Sequence, residues 1–221
     1  MQVRIDAIYT GLAQAMPDDG RPTAIFKTPR RDVLSIGREG IAGDVQADRR
    51  VHGGPDKAVH QFPAEHYARF AAAFTPVRGA FAPGNIGENF SSSGLREEDV
   101  CIGDVFALGS ARLQLCQPRT PCWKIDARFG VDGLAQLIER EGIAGWYYRV
   151  LQTGTAQAGD TLQLLAREPQ AVSLREYWQL KQATRPPAAD LLRLLASPGL
   201  AENQRQRWQQ RFDWLRANAG Y

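Results

Sequence analysis

The stretch Gln117-Pro118-Arg119-Thr120-Pro121-Cys122-Trp123-Lys124 sets a thiol between two cationic side chains. Each proline fixes its own φ and pushes the residue before it toward extended backbone, so the approach to Cys122 is stiff. Cations aimed at a thiol favour the thiolate, which is the nucleophilic form and a soft metal ligand. Residue types alone leave two readings open: a reactive or metal-binding thiol, and a buried cysteine on a turn.

Other groups could do chemistry. His52-Gly53-Gly54-Pro55-Asp56-Lys57 places a histidine, two glycines and a lysine in one short loop. Adjacent glycines let backbone N–H groups approach an anion, and Lys57 adds a point charge. A tight turn with solvated charges is the plain alternative, and the spacing is not that of a P-loop. Gly84 to Phe90 carries Glu88 and Asn89 just after two glycines, but no second acid is placed opposite Glu88 for a carboxylate pair. His52, His60 and His66 lack zinc-ligand spacing. His66 reads as a packed or surface residue of a helix. Cys101 alternates with Val100 and Ile102 and reads as core. Cys116 shares a strand face with Arg112 and Gln114, which makes it the second thiol candidate.

These groups must be held by short elements. Val3–Tyr9, Thr23–Lys27, Asp32–Ile36, Lys57–Phe62, Gly145–Leu151 and Thr161–Leu165 read as strands. Val100–Leu108 and Ala111–Cys116 read as a hairpin around Gly109-Ser110. Ala64–Phe74 has helical spacing. Asp132 can cap a helix carrying Leu134, Leu137 and Ile138. Many short strands with few helices predict a mainly β, α+β chain: a barrel-like β domain with peripheral helices over residues 1–168. Arg167 to Gln170 reads as a linker. A three-helix domain is expected over 171–221, opened by the capping box Ser173-Leu174-Arg175-Glu176. Its further helices are Ala188–Ala196 and Ala201–Asn218, the last with a Trp208/Phe212/Leu215 stripe.

The 221 residues carry a net charge of +3. From Ala171 onward eight Lys/Arg stand against four acids, so the tail holds +4 and residues 1–170 hold −1. The main body is therefore not a general polyanion binder, and no base-reading motif accompanies the tail's arginines, so nucleic acid is not an expected partner. No apolar run is long enough to span a bilayer and no leader pattern opens the chain, so neither membrane association nor secretion is expected. Three cysteines without framework spacing fit a reducing compartment, and a cytoplasmic location is expected.

Five stretches occur in a telling order: Gly43–Asp48, His52–Val59, Gly87–Phe90, Ile102–Asp104 and Gln117–Cys122. Together with the helical tail they resemble the MOSC domain family, over nearly the whole chain. The resemblance implies a β-barrel-like fold that binds the molybdenum cofactor, with Cys122 as both metal ligand and catalytic residue. It places Arg119 against the anionic pterin or phosphate, with His52, Lys57, Asn89 and Lys124 as further candidates for the same cavity. Pyridoxal phosphate is the secondary cofactor expectation. The implied reaction is reduction of N-hydroxylated compounds, such as 6-hydroxylaminopurine, to amines. No iron–sulfur or dinucleotide-binding motif is present, so an external flavoprotein or iron–sulfur protein must supply electrons, and the basic tail is a candidate dock for it. A sulfur carrier with a Cys122 persulfide and a cofactor store are the alternative functions. A homodimer is the default oligomer.

Overall fold

The computed structural model describes residues 1–48 and 53–219. Among these the strands are β1 (Gln2–Arg4), β2 (Ala7–Thr10), β3 (Gln14–Ala15), β4 (Pro22–Thr23), β5 (Thr28–Arg30), β6 (Leu34–Gly37), β7 (Gly40–Ile41), β8 (Val59–Pro63), β9 (Phe90–Ser92), β10 (Val105–Leu108), β11 (Ala111–Pro118), β12 (Trp146–Gln152), β13 (Gly154–Ala156) and β14 (Thr161–Ala166). The helices are α1 (His66–Ala73), α2 (Lys124–Phe129), α3 (Leu134–Glu141), α4 (Leu174–Gln182), α5 (Ala188–Ala196) and α6 (Glu202–Ala219).

Nine strands form one mixed sheet in the order β1-β14-β10-β11-β12-β8-β9-β2-β5, curled into a half-barrel. A second sheet, β13-β6-β7, and the ribbon β3-β4 accompany it. Alternation explains β10 and β11: Phe106, Leu108, Ala111, Leu113 and Leu115 all point into one core. The pairing of β8 with β9 is parallel. Parallel neighbours need a long crossover, and here it carries α1 and the loop that ends at Asn89. That crossover builds one wall of the site.

Several expected elements are corrected. Val3–Tyr9 is two strands, because the chain breaks between β1, which pairs β14, and β2, which pairs β9 and β5. Residues 24–27 are not a strand: Ile25 N donates to Thr23 Oγ1 at 3.2 Å, and this local turn competes with the ladder. Val100–Leu108 is extended only as β10; Cys101 makes a lone bridge with Ser173 and the chain then turns at Gly103. Asp132 does not cap α3. Asp126 does so instead, accepting from Gly133 N at 3.3 Å and Ala135 N at 2.7 Å.

The tail opens with the expected capping box, Glu176 N to Ser173 Oγ at 3.2 Å and Ser173 N to Glu176 Oε2 at 2.8 Å. Its apolar residues Leu174, Leu191, Leu194, Trp208 and Leu215 join the same buried cluster as the sheet residues Leu113, Trp146 and Leu162. Ala201 N donates to Cys116 O at 2.9 Å, tying the start of α6 to β11. A Cβ on Gly199 would lie 2.2 Å from Gly103 Cα, so only glycine allows that approach. Arg205 donates to the carbonyls of Leu195 and Ser197, and Arg211 to those of Leu180, Lys181 and Ala183. Two of the tail's arginines thus satisfy the otherwise unpaired carbonyls at the C-termini of α5 and α4.

Candidate functional site

The loop after β11 meets five other segments at a cleft of about 640 Å³. They are the irregular stretch 23–27, residues 44–48, Lys57 with His60, the crossover residues 86–89, and Tyr147 of β12. Pro118 closes β11 opposite Trp146, and the chain then runs without regular structure to Cys122, whose carbonyl accepts from Ile125 N at 3.0 Å as α2 begins. The half-buried Cys122 thus stands at a loop-to-helix junction on the cleft wall.

The floor is a hydrogen-bonded frame. Lys27 Nζ lies 2.6 Å from Asp44 Oδ2, and each side chain is only 7% exposed. Asp44 Oδ1 accepts from Gly11 N at 2.9 Å, and Asp44 Oδ2 accepts from Asn89 Nδ2 at 2.8 Å. Asn89 also donates to Tyr9 O at 3.2 Å and accepts from His60 N at 3.0 Å. Its amide is therefore engaged on both sides by the frame. Burial pulls the Lys27 ammonium down, against the pull of Asp44.

Arg119 is 7% exposed. Its backbone N donates to Gly145 O at 3.0 Å and its Nη2 to Ile86 O at 3.3 Å. Its Nη1 is buried without a hydrogen-bond partner among the described residues. His60 sits beside it, with Nε2 3.4 Å from Ala144 O. Burial first, and the Arg119 charge second, hold His60 well below its usual 6.5, so the ring is neutral. Tyr147 lies 5.1 Å from His60, ring to ring, and burial pushes its phenol up.

Glu88, considered from sequence as an acid–base group, holds the crossover loop. Its carboxylate accepts from Tyr67 OH at 2.7 Å, Gly84 N at 2.5 Å and Ile86 N at 3.2 Å. It thereby fixes the Ile86 carbonyl that Arg119 binds. His66 is a packed residue, with Nε2 2.8 Å from Glu97 Oε2.

Cys116 is corrected as a thiol candidate. The register of β11 against β12 shifts between Leu115 and Gln117, and this irregularity accompanies a Cys116 that is fully buried. Its Sγ donates to Asp56 O at 3.0 Å, and burial pushes the thiol up to about 12. Such a group stays protonated and inert. Cys101 is buried as expected, its thiol pushed up to about 11.

A second, larger cleft of about 1350 Å³ adjoins the first and shares Asp48, Lys57, Cys122, Lys124 and Tyr147 with it. Its other side is built by Arg21, Trp123 and the first turns of α6, with Asn203, Gln204 and Arg207. Lys124 Nζ donates to Pro22 O at 2.7 Å, bridging α2 to the stretch before the floor.

Five of the six sequence-derived site residues therefore meet on one cleft: Lys57, Asn89, Arg119, Cys122 and Lys124. His52 lies outside the described residues. Sequence reading missed Lys27, His60, Tyr147 and the role of Asp44. Only Asp44 carried a signal, as part of the Gly43–Asp48 motif.

The family model described as MOSC domain matches residues 48–163. The protein YiiM of Escherichia coli strain K12 is 41% identical over 160 residues, covering 72% of this chain and 71% of that protein. A Gibberella moniliformis protein named Reductase is 37% identical over 146 residues, which is 66% of this chain and 26% of that protein. The crystal structure of YiiM from Geobacillus stearothermophilus superposes with a TM-score of 0.80 at 30% identity, covering 96% of this chain and 100% of that one.

Proposed function

This chain belongs to the MOSC domain family, and on that premise we propose that it is a molybdenum-cofactor-dependent reductase of N-hydroxylated small molecules. One observation carries the reading. A half-buried thiol, Cys122, faces a cleft whose inner wall holds the buried Arg119 with an unpartnered Nη1. A buried guanidinium N–H without a partner is costly, and an anionic oxygen of a ligand relieves it. A thiol on a cleft that also holds Arg119, Lys57 and Lys124 suits a soft metal bound to an anionic organic group. The residues present fit that cofactor. The similarity to a protein named Reductase supports the reaction class.

Cys122 would hold the metal, and Arg119, Lys57 and Lys124 the anionic part of the cofactor. Lys27 and Asn89 act beneath them as the frame. When bound, the cofactor supplies two-electron redox chemistry, while the protein supplies binding, orientation and electrostatics. Reduction of R–NHOH to R–NH2 consumes two electrons and two protons and releases water. Tyr147, kept protonated by burial, holds a proton at Oη beside both clefts. Neutral His60 lies behind it and offers a hydrogen bond without adding charge. The electrons come from a separate flavoprotein or iron–sulfur protein. The three free thiols fit a cytoplasmic setting. Among the described residues no helix is long and apolar enough to cross a membrane.

The test is metal analysis of freshly purified wild type and Cys122→Ala. Molybdenum near one atom per wild-type chain, absent from the variant, is the expected result. A metal-free wild type with labile sulfur on Cys122 would replace this reading with a sulfur carrier. Molybdenum bound without turnover of N-hydroxylated substrates by a reducing donor would leave a cofactor store.

A further inference from the structure

The outer cleft has features that holding a cofactor does not require. Among the described residues Arg21, Lys57, Lys124 and Arg207 line it against a single acid, Asp48. Arg207 makes no hydrogen bond or ion pair among the described residues, unlike Arg205 and Arg211 on the same helix, which are spent on carbonyls. It is close enough to Lys57 to be the second cause, after burial, of the lowered Lys57 ammonium. Two cations that repel each other across a cleft are a standing site for an anion. The wall behind Arg207 is rigid: Gln204 accepts from Tyr177 OH at 2.8 Å and donates to Gln117 Oε1 at 3.2 Å. Trp123 adds a large aromatic surface, 42% exposed, with the Arg21 guanidinium 4.0 Å from its ring centroid. Arg21 is itself held by Asp19 at 2.6 Å. An exposed indole is unusual at a purely ionic site and suits a flat aromatic ligand.

We propose that the outer cleft is a substrate subsite for a nucleotide, with Trp123 as platform for the base and Arg207 of α6 as anchor for the phosphate. Resting on the reductase reading above, this makes the substrate the phosphate-bearing nucleotide of an N-hydroxylated base rather than the free base. The shared wall puts the base edge toward Cys122 and the phosphate toward the tail. The tail helix then sets specificity and is no mere attachment.

Binding tests this without turnover. Adenosine 5′-monophosphate, adenosine and inorganic phosphate are titrated calorimetrically into the purified protein. Adenosine monophosphate is expected to bind at least about tenfold tighter than adenosine, as a charge-assisted Arg–phosphate contact implies. Arg207→Ala should remove that preference while changing adenosine affinity less than about twofold. Trp123→Ala should weaken both nucleoside and nucleotide by a similar factor. Equal affinity for adenosine and its monophosphate overturns the proposal. So does inorganic phosphate binding as tightly as the nucleotide, or a nucleotide affinity untouched by Arg207→Ala. An Arg207→Ala variant that binds nucleotide normally but is reduced slowly by a protein donor would assign the surface to that donor instead. If the protein reduces no N-hydroxylated compound yet keeps its Arg207-dependent preference for the monophosphate, the subsite stands and the reductase reading falls.

Discussion

Lys27 and Lys57 line the same cleft and are opposites. Both ammonium groups are pulled down by burial. For Lys27 the next influence is the attraction of Asp44, and the pair sits in a frame that also uses Gly11 and Asn89. For Lys57 the next influence is repulsion from Arg207, a residue of another part of the chain. The floor is charge-balanced within the fold. The outer wall carries surplus positive charge. A buried charge kept in balance holds a shape, whereas a surplus at the rim marks where an anion from outside completes the field.

The largest difference is expected between two thiols that bracket this boundary. Cys122→Ala should lower molybdenum content more than about 100-fold, as loss of a metal ligand does. Cys116→Ala should leave the metal in place and cost about 1 kcal/mol of stability, read by urea unfolding. Equal metal loss in both variants would break the distinction between an open and an inert thiol.

Next is stability at the floor. Lys27→Met leaves Asp44 buried without its cation and should cost about 3–5 kcal/mol, seen as a fall in Tm. Lys57→Met on the rim should cost less than Lys27→Met. The tail repeats the contrast on a smaller scale. Arg211→Ala strips carbonyls at the end of α4 and should cost about 1.5–3 kcal/mol, whereas Arg207→Ala should stay within about 0.5 kcal/mol.

The smallest effect is a pH dependence. His60 is held well below 6.5 in the folded protein, so below about that pH the unfolded chain takes up a proton that the native ring refuses. Stability contributed by neutral His60 is present above 6.5 and declines as pH falls from there toward the folded value. Urea midpoints measured between neutral and mildly acidic pH should therefore fall less steeply in His60→Asn than in the wild type.

The sequence revealed much that depends on local period or on a short motif, although Thr23–Lys27 is no strand and Asp132 no cap. The β10–β11 hairpin, α1 and the capping box at Ser173 follow from alternation, helical spacing and capping chemistry. The Cys122 loop was legible because two prolines and two cations mark it. What escaped is long-range. Lys27 looked like one more strand residue until Asp44, seventeen positions away, claimed its ammonium. His60 lay in an apolar strand, and only the three-dimensional closeness of Arg119 and Ala144 gives it a role. The register shift in β11 that goes with the burial of Cys116 arises from its partner strand. The basic tail read as a candidate dock, yet helix ends drawn from two other elements divide its arginines into spent and available.

The bond from Ala201 N to Cys116 O has a consequence for the order of synthesis. The inner floor is complete once β12 has been made, because all its residues precede Gln152. The outer wall waits for α6, which follows every element of the floor in the chain. A nascent chain released before Glu202 would own a cofactor floor open to bulk solvent on the tail side. On the proposed reading, the wall that confers selectivity is made after the part that holds Cys122.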